Sequence, residues 1–206
     1  MTVKGRPRKK IEKLLLEAAA TEFLEKGYMA ANLDHIVAAA GTTKPAFYRR
    51  YSGKLALFEA VLEHLALEFQ LDLDFLGDTE RAPADTLYEL AGIFYHRLGS
   101  PRVMAMSRLG VAESNHFPEL ILRFRQGVMA GFIGKVTEYL GYIDEQGVVT
   151  ITDTLVAAIN FLTLSGRVHE RLMGVELRAE QVEPYLREVV RFFLAGYGPT
   201  ADQPTG

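Results

Sequence analysis

Apolar residues recur at helical spacing along almost the whole chain. In the first part they lie three or four positions apart and predict an amphipathic helix over about 10–26, through Ile11, Leu14, Leu15, Ala18, Ala19 and Phe23. Gly27 follows this pattern and is a residue that favours a helix end. Three further patterns predict helices over about 33–40, 44–50 and 54–71.

The remaining sequence continues in the same way. Helices are predicted over about 84–98, 101–113, 118–140, 152–173 and 179–196, separated by segments rich in glycine and proline. Residues 147–152 have β propensity, but no second run is available to pair with them, so we expect an extended lead-in to a helix. The predicted fold class is therefore all-α.

Composition limits the class of protein. The chain has 206 residues, of which 49% are hydrophobic, and it contains no cysteine, so thiolate metal sites and cysteine nucleophiles are excluded. No apolar run approaches the roughly 20 residues that cross a bilayer, and the basic N-terminus lacks the apolar core of a signal peptide. We therefore expect a cytoplasmic protein without a membrane partner.

Charge is distributed unevenly. Residues 1–56 carry 11 lysines and arginines against 5 acidic residues, whereas residues 57–206 carry 12 against 21. A basic N-terminal quarter on an acidic body suggests that this end meets a polyanion. Chance clustering of surface charge is the alternative.

Residues 32–51 contain the most informative pattern. Asn32 and Thr43 are candidate N-caps, Pro45 suits a first helical turn, and the three-residue turn at 41–43 contains glycine. Two short helices joined by such a turn predict a helix-turn-helix unit, whose second helix lies in the DNA major groove. We divide the chain accordingly into a basic arm and DNA-binding domain at 1–56 and a second domain at 57–206.

The stretch 27–58, which reads GYMAANLDHIVAAAGTTKPAFYRRYSGKLALF, closely resembles the DNA-binding region of the TetR family. Family sequences place Gly-Tyr, Ile-Ala, Ala-Gly, Ser-Lys, Tyr, Phe and Lys at these spacings. Here Ala31 and Asn32 replace the usual hydroxyl pair, Val37 replaces alanine and Tyr51 replaces phenylalanine. The resemblance implies a homodimeric transcriptional regulator, in most cases a repressor, with a C-terminal effector-binding domain.

The same resemblance implies DNA contacts. Lys44 and Tyr48 are expected at the DNA backbone, Thr43 and Arg49 near bases or phosphates, and Lys54 on a phosphate. Phe47 and Tyr51 are expected in the core of the small domain, and Arg50 is either a contact or a solvated residue. The candidate DNA-binding residues are Arg6, Arg8, Asn32, Thr42, Thr43, Lys44, Ala46, Tyr48, Arg49 and Lys54.

The segment Lys4-Gly5-Arg6-Pro7-Arg8 precedes the first helix. It is similar to an AT-hook, whose arginines enter a narrow minor groove. A basic tail that supplies only nonspecific attraction is an equal alternative.

The C-terminal body carries the expectations about partner and ligand. By family resemblance the last two long helices, about 152–173 and 179–196, form the dimer. Leu155, Ile159 and Leu162 make one apolar stripe, and a second contains Val182, Leu186, Val189, Val190 and Phe193; such a pair of stripes suits a four-helix bundle between two copies. The alternative is that both stripes face their own core.

Residues 108–120 resemble the corresponding stretch of the AefR/AcrR-like branch, whose members often control efflux or stress genes. An apolar or aromatic effector is expected, although most aromatic residues at helical spacing belong to a core. The candidate ligand-binding residues are Tyr88, Phe94, Tyr95, Met104, Arg108, Phe124, Phe132, Asn160, Phe161 and Arg167.

Two other function classes have some support in the sequence. An enzyme would need an acid–base pair, and His116 near Glu113 and Glu119, or His169 near Glu170, are the available groups. No nucleophile elbow, phosphate loop or metal-spaced cluster accompanies them, so we predict no catalytic residue, cofactor or metal. A ligand-independent or activating DNA-binding protein is the second alternative.

Overall fold

The computed structural model describes residues 8–198, without the side chains of residues 8, 9, 131, 171 and 172. Within this range the chain forms helices and no strand, as predicted. The helices are α1 (Arg8–Ala30), α2 (Leu33–Ala39), α3 (Lys44–Tyr48), α4 (Lys54–Glu68), α5 (Pro83–Leu98), α6 (Pro101–Ala112), α7 (Pro118–Glu145), α8 (Thr154–Ser165), α9 (Val168–Met173) and α10 (Ala179–Gly196), with a 3-10 turn at Asp74–Gly77.

Helix α1 does not stop at Gly27. Gly27 has φ 74° and ψ 174°, which interrupts the helix, and one further turn then continues to Ala30. This backbone conformation is open almost only to glycine. Gly27 therefore marks a kink between the long part of α1 and its last turn.

The predicted helix over about 152–173 is two helices, α8 and α9. Gly166 has ψ 163° and its N–H bonds to Leu162 O. A Cβ at this position would lie 3.0 Å from the Leu162 carbonyl oxygen, so the break depends on glycine. Gly141, by contrast, does not end α7, because a single glycine costs a helix only about 1 kcal/mol.

The lead-in to α8 is extended, as predicted, and it is anchored at two points. The Thr150 N–H donates to Tyr197 O at 2.7 Å, and the Ile151 N–H donates to Asp144 Oδ1 at 3.0 Å. Its β-forming residues thus bond to helix ends and not to a second strand.

The described residues fall into two compact units. The first contains the chain up to Gln70 together with Pro101–Met129, and the second contains Leu71–Ser100 and the chain from Ala130 onward. The core of the first unit includes Phe23, Phe47 and Phe58, and that of the second includes Phe94, Phe161 and Phe193. Among the described helices, none combines the length and apolarity that a membrane crossing demands.

Candidate nucleic-acid interface

Helices α2 and α3 have the local chemistry of a helix-turn-helix. The Asn32 side chain accepts a hydrogen bond from the Asp34 N–H at the start of α2, and the Thr43 hydroxyl accepts one from the Ala46 N–H at the start of α3. Both residues are N-caps, which satisfy amides that have no partner inside the helix. The turn between the helices contains Gly41 with φ 60°.

Three apolar side chains fix the unit on its own core. Ile36, Val37 and Phe47 are buried, and Phe47 lies 5.7 Å from the half-buried Tyr51 ring. Burial raises the pKa of the Tyr51 hydroxyl. Both aromatic residues therefore lie in the core of the small domain, where the sequence placed them.

The rest of α3 faces solvent. Thr43, Lys44 and Arg49 are exposed, and Tyr48 is 56% exposed although it is aromatic. Thr42 and Ala46 are half-buried. An exposed tyrosine together with two exposed cations along one fixed helix is suited to contacts with phosphates and base edges.

Lys44 has a partner inside the protein. Its Nζ lies 2.7 Å from Asp34 Oδ1 across the turn, and both side chains are exposed. The hydrogen bond and the negative charge of Asp34 raise the pKa of Lys44. Lys44 therefore stays cationic near neutral pH, and a phosphate must compete with Asp34 for it.

Arg50 and Lys54 also bond within the protein. Arg50 Nη1 donates to Ala46 O at 2.9 Å, which directs it along α3. Lys54 Nζ donates to Met29 O at 3.1 Å and lies 4.9 Å from the centre of the Tyr28 ring. Since Lys54 begins α4, its ammonium is held between the start of α4 and the last turn of α1.

The basic arm supplies the two remaining predicted DNA contacts, Arg6 and Arg8. Arg6 lies outside the described residues, and Arg8 begins α1. The AT-hook prediction therefore stays a prediction.

Two buried glutamates that bond to backbone amides near the helix-turn-helix were not among the predicted site residues. Glu22 accepts from the Asn32 N–H at 2.9 Å and from Lys26 Nζ at 2.8 Å, and these two bonds lower its pKa, the Lys26 bond most. Glu113 accepts from the Tyr28 N–H at 2.8 Å. Periodicity could not reveal them, because both bonds join residues 10 or more positions apart.

The ligand candidates of the second unit are dispersed. Phe94 packs against Phe132 at 4.8 Å and Phe161 against Phe193 at 5.1 Å, and all four rings are buried. Such contacts are those of a closed core.

The polar candidates of that unit are already engaged. Arg167 lies 5.0 Å from the Tyr95 ring centre and pairs with Glu170, and the exposed Asn160 donates to the Tyr197 hydroxyl. Tyr88 lies under the Arg187 guanidinium at 4.8 Å. A ligand that used these groups would have to displace the contacts.

The first unit holds the other candidates and a cleft. Met104 is half-buried and Arg108 is exposed on α6. Phe124 of α7 lines a cleft of about 450 Å³, together with Leu62, Ala66 and Leu67 of α4. A second cleft, of about 330 Å³, lies in the second unit beside Tyr139 and the Lys135–Asp74 ion pair.

The two histidines named as possible acid–base groups have different surroundings. His116 Nδ1 lies 3.6 Å from Glu113 Oε2, beyond hydrogen-bond distance. The His169 ring stacks on that of Tyr95 at 6.3 Å and meets the Tyr185 ring edge-on at 5.2 Å.

Glu17 of α1 lies beside His64 and Glu68 of α4, and the oxygen and nitrogen atoms of these three residues are close enough to ligate one ion. Arg102 pairs with both carboxylates, at 3.3 Å and 2.7 Å. His64 Nε2 lies 3.2 Å and 3.1 Å from them. The group is therefore a network of ion pairs that joins α1, α4 and α6.

Two family models match the sequence. One, described as bacterial regulatory proteins of the tetR family, matches residues 15–61. The other, described as the C-terminal domain of AefR-like transcriptional repressors, matches residues 85–199, more than half of the chain. This second match includes residues 108–120, the stretch that resembles the AefR/AcrR-like branch.

Curated relatives match the N-terminal part. The HTH-type transcriptional activator FasR of Mycolicibacterium smegmatis is 44% identical over 57 residues, which are 28% of this chain and 26% of FasR. The uncharacterized HTH-type transcriptional regulator TtgW of Pseudomonas putida is 36% identical over 70 residues, 34% of this chain and 51% of TtgW. The chain thus spans between a quarter and about half of the length of these relatives.

Solved structures share the fold over nearly the whole chain. A putative TetR-family transcriptional regulator from Mesorhizobium loti superposes with a TM-score of 0.79 at 19% identity, covering 94% of this chain and 100% of that one. The flavonoid-responsive regulator FrrA superposes with a TM-score of 0.72 at 25% identity, covering 94% and 99%. A similar all-helical architecture therefore extends well beyond the helix-turn-helix.

Proposed function

The chain belongs to the TetR family of bacterial DNA-binding transcriptional regulators, and from this membership we propose that it is a homodimeric repressor that a small apolar effector releases from operator DNA. The observation that carries the proposal is the exposed side of α3. Lys44, Tyr48 and Arg49 are exposed there on a helix whose other side is anchored by the buried Phe47. Such a helix enters the major groove without loss of its own packing.

The proposed contacts divide into two kinds. Lys44, Tyr48, Arg49 and Lys54 are proposed to bind phosphates, which sets affinity and its salt dependence. Thr43, with Thr42 and Ala46, lies at the start of α3 and is proposed to face base edges, which sets sequence preference. Asn32 and the arm residues Arg6 and Arg8 complete the proposed set.

Members of this family dimerise, and we propose that α8 and α10 form the interface here. The second predicted stripe needs correction in this role, because Leu186, Val189, Val190 and Phe193 are buried within their own subunit. Other apolar side chains of α8 and α10 are exposed: Leu155, Val156, Ile159 and Phe192, at 47–60%. A two-fold symmetric dimer of this kind reads two operator half-sites whose centres lie about 34 Å apart.

Release by an effector is proposed as linkage. A ligand that prefers a dimer with unsuitable spacing of its DNA-binding helices weakens operator binding, and the operator weakens ligand binding equally. An aromatic effector is supported by the 25% identity to the flavonoid-responsive FrrA over nearly the full chain. Family resemblance assigns this role to the domain at 57–206, and a cytoplasmic location follows from the encounter with DNA.

An activator is the second candidate function. It is favoured by the 44% identity to the activator FasR, whereas the match to the AefR-like repressor domain favours repression. The two candidates share the same operator contacts. They differ in whether the bound protein lowers or raises transcription.

The test begins with selection of duplexes from a random pool by the full-length protein. A repressor should enrich a two-fold symmetric sequence and lower transcription from a promoter that contains it. The flavonoid quercetin, tested over a concentration series, should raise the midpoint of thermal unfolding and weaken operator binding. Failure to enrich any sequence would overturn the proposal, and increased transcription would replace repressor by activator.

A further inference from the structure

The last turn of α1 and the residues that lead into α2 are held by three side chains from different parts of the chain. Glu22 of α1 accepts from the Asn32 N–H, and Lys54 of α4 donates to Met29 O. The third, Glu113, accepts from the Tyr28 N–H and directly follows α6, the helix Pro101–Ala112. Glu22 and Lys54 lie within the predicted DNA-binding domain at 1–56. Glu113 lies outside it.

The burial of Glu113 makes its contact specific. The residue is 4% exposed, and its Oε1 lies 2.8 Å from the Tyr28 amide nitrogen. A buried polar oxygen is costly unless a donor bonds to it; the Tyr28 amide is that donor for Oε1, whereas Oε2 lies 3.6 Å from His116 Nδ1. The kink at Gly27 admits it, since a Cβ there would lie 3.1 Å from the same oxygen.

The position of Tyr28 in turn sets that of Lys54. The Tyr28 ring packs against Phe117 at 4.7 Å and Phe58 at 5.1 Å, and the Lys54 ammonium lies 4.9 Å from its centre. The same ammonium bonds to the carbonyl of the next residue, Met29. Two contacts of Lys54 are therefore made to the two residues that follow the kink.

We infer that Glu113 is a positioning residue for DNA binding: it holds Tyr28 and Met29, and through them it holds the Lys54 ammonium where a phosphate is bound. This inference rests on the proposed function, in which Lys54 contacts DNA. It gives the turn after α6 a direct connection to the operator contact at the start of α4.

A second contact between α1 and α6 provides a matched control. Arg102 Nη2 lies 3.3 Å from Glu17 Oε2 near the other end of α6. Glu17 precedes Tyr28 by as many residues as Arg102 precedes Glu113, so the two contacts are about three helical turns apart. Arg102 also pairs with Glu68 at the end of α4, at 2.7 Å, so its contacts join α1, α4 and α6, but they involve neither Tyr28 nor Lys54.

The experiment is a double-mutant cycle in the full-length protein with a duplex that the wild type selects. Affinity is measured by fluorescence anisotropy over a series of KCl concentrations. K54M should weaken binding about tenfold and reduce the salt slope by about one. E113M should weaken binding about fivefold in the wild-type background and by less than about 1.5-fold in K54M.

Three further variants separate positioning from stability. E113Q keeps an oxygen acceptor for the Tyr28 N–H and should stay within about twofold of wild-type affinity. Tyr28→Leu keeps the amide but removes the ring that contacts Lys54. It should therefore reproduce the loss of operator affinity even if E113M does not fold. Its effect, like that of E113M, should disappear in the K54M background. Arg102→Met should act equally in both backgrounds.

Equal losses from E113M, or from Tyr28→Leu, in the wild-type and K54M backgrounds would overturn the positioning role. So would an E113Q protein as weak as E113M. If the wild type selects no duplex, the proposed function fails and this role fails with it, whereas sequence-specific binding with an additive cycle removes only the role of Glu113.

Discussion

At the scale of single residues, Lys44 has two competing partners: Asp34 in the free protein and, in the proposed complex, a phosphate. The ion pair is exposed, so its contribution to stability is small and it can exchange for DNA. The Asp34 carboxylate also adds negative charge beside the duplex. The pair therefore opposes binding slightly.

Lys44→Ala should lower operator affinity about tenfold across sequences and reduce the salt slope by about one. Asp34→Asn should instead raise operator affinity a few-fold, because it frees Lys44 and removes a negative charge that repels the phosphates. Anisotropy titrations over a salt series measure both effects. An unchanged slope in Lys44→Ala would contradict the placement of α3 on the phosphates.

Gly27 illustrates a constraint on the backbone. Gly27→Ala should lower the free energy of unfolding by about 1–3 kcal/mol, since its φ of 74° is unfavourable for any side chain. Gly134→Ala is the control, because Gly134 lies inside α7 and a methyl group added there would meet nothing within 4 Å; it should raise stability by about 0.5–1 kcal/mol. Chemical denaturation distinguishes them, and equal effects would contradict the kink.

At the scale of elements, local chemistry decides most clearly where a helix begins, through its N-cap. Asn32, Thr43 and Asp153 each accept a bond from an amide in the first turn of the helix that follows. These contacts span two or three residues, so a linear sequence contains all the information they need. The predicted starts of α2 and α3 agree with the structure for this reason.

Asp153 gives the prediction at this scale. Its carboxylate accepts from the Leu155 and Val156 amides at 2.9 Å and 3.1 Å, at the start of the helix that carries the proposed dimer face. Asp153→Ala should lower the free energy of unfolding by about 1 kcal/mol, whereas Asp153→Asn keeps an acceptor and should cost less. Thermal unfolding at one fixed protein concentration measures both, and equal losses would exclude a capping role.

At the scale of the whole molecule, the exposed apolar side chains of α8 and α10 require a cover. Phe192 is 60% exposed and Ile159 is 47% exposed, next to helices whose other faces are filled. A second copy of the chain is the cover that family membership supports. The stability of the regulator is then linked to its concentration.

Phe192→Glu should convert the dimer to a monomer and reduce operator affinity by more than about tenfold, because one half-site contact is lost per molecule. Leu122→Glu is the control, since Leu122 is 55% exposed on α7 and lies outside the proposed interface. Light scattering after size exclusion reports the mass. A Phe192→Glu protein that remains dimeric would contradict the interface.

The sequence alone determined what depends on neighbours in the chain. Helical periodicity, the caps at Asn32 and Thr43 and the turn at Gly41 follow from interactions within a few residues, and the spacing of these features sufficed to indicate the family. The predicted division at residue 56 stays a prediction.

Only the tertiary structure decided which distant groups meet. The Glu113–Tyr28 bond joins residues 85 positions apart, and the side of α10 that faces solvent depends on the packing of α5 and α8 against it. Periodicity gives a helix an apolar stripe but does not say what covers it. The contact that holds Lys54 and the exposed face around Phe192 are therefore properties of the folded chain, because each requires elements far apart in sequence to be brought together.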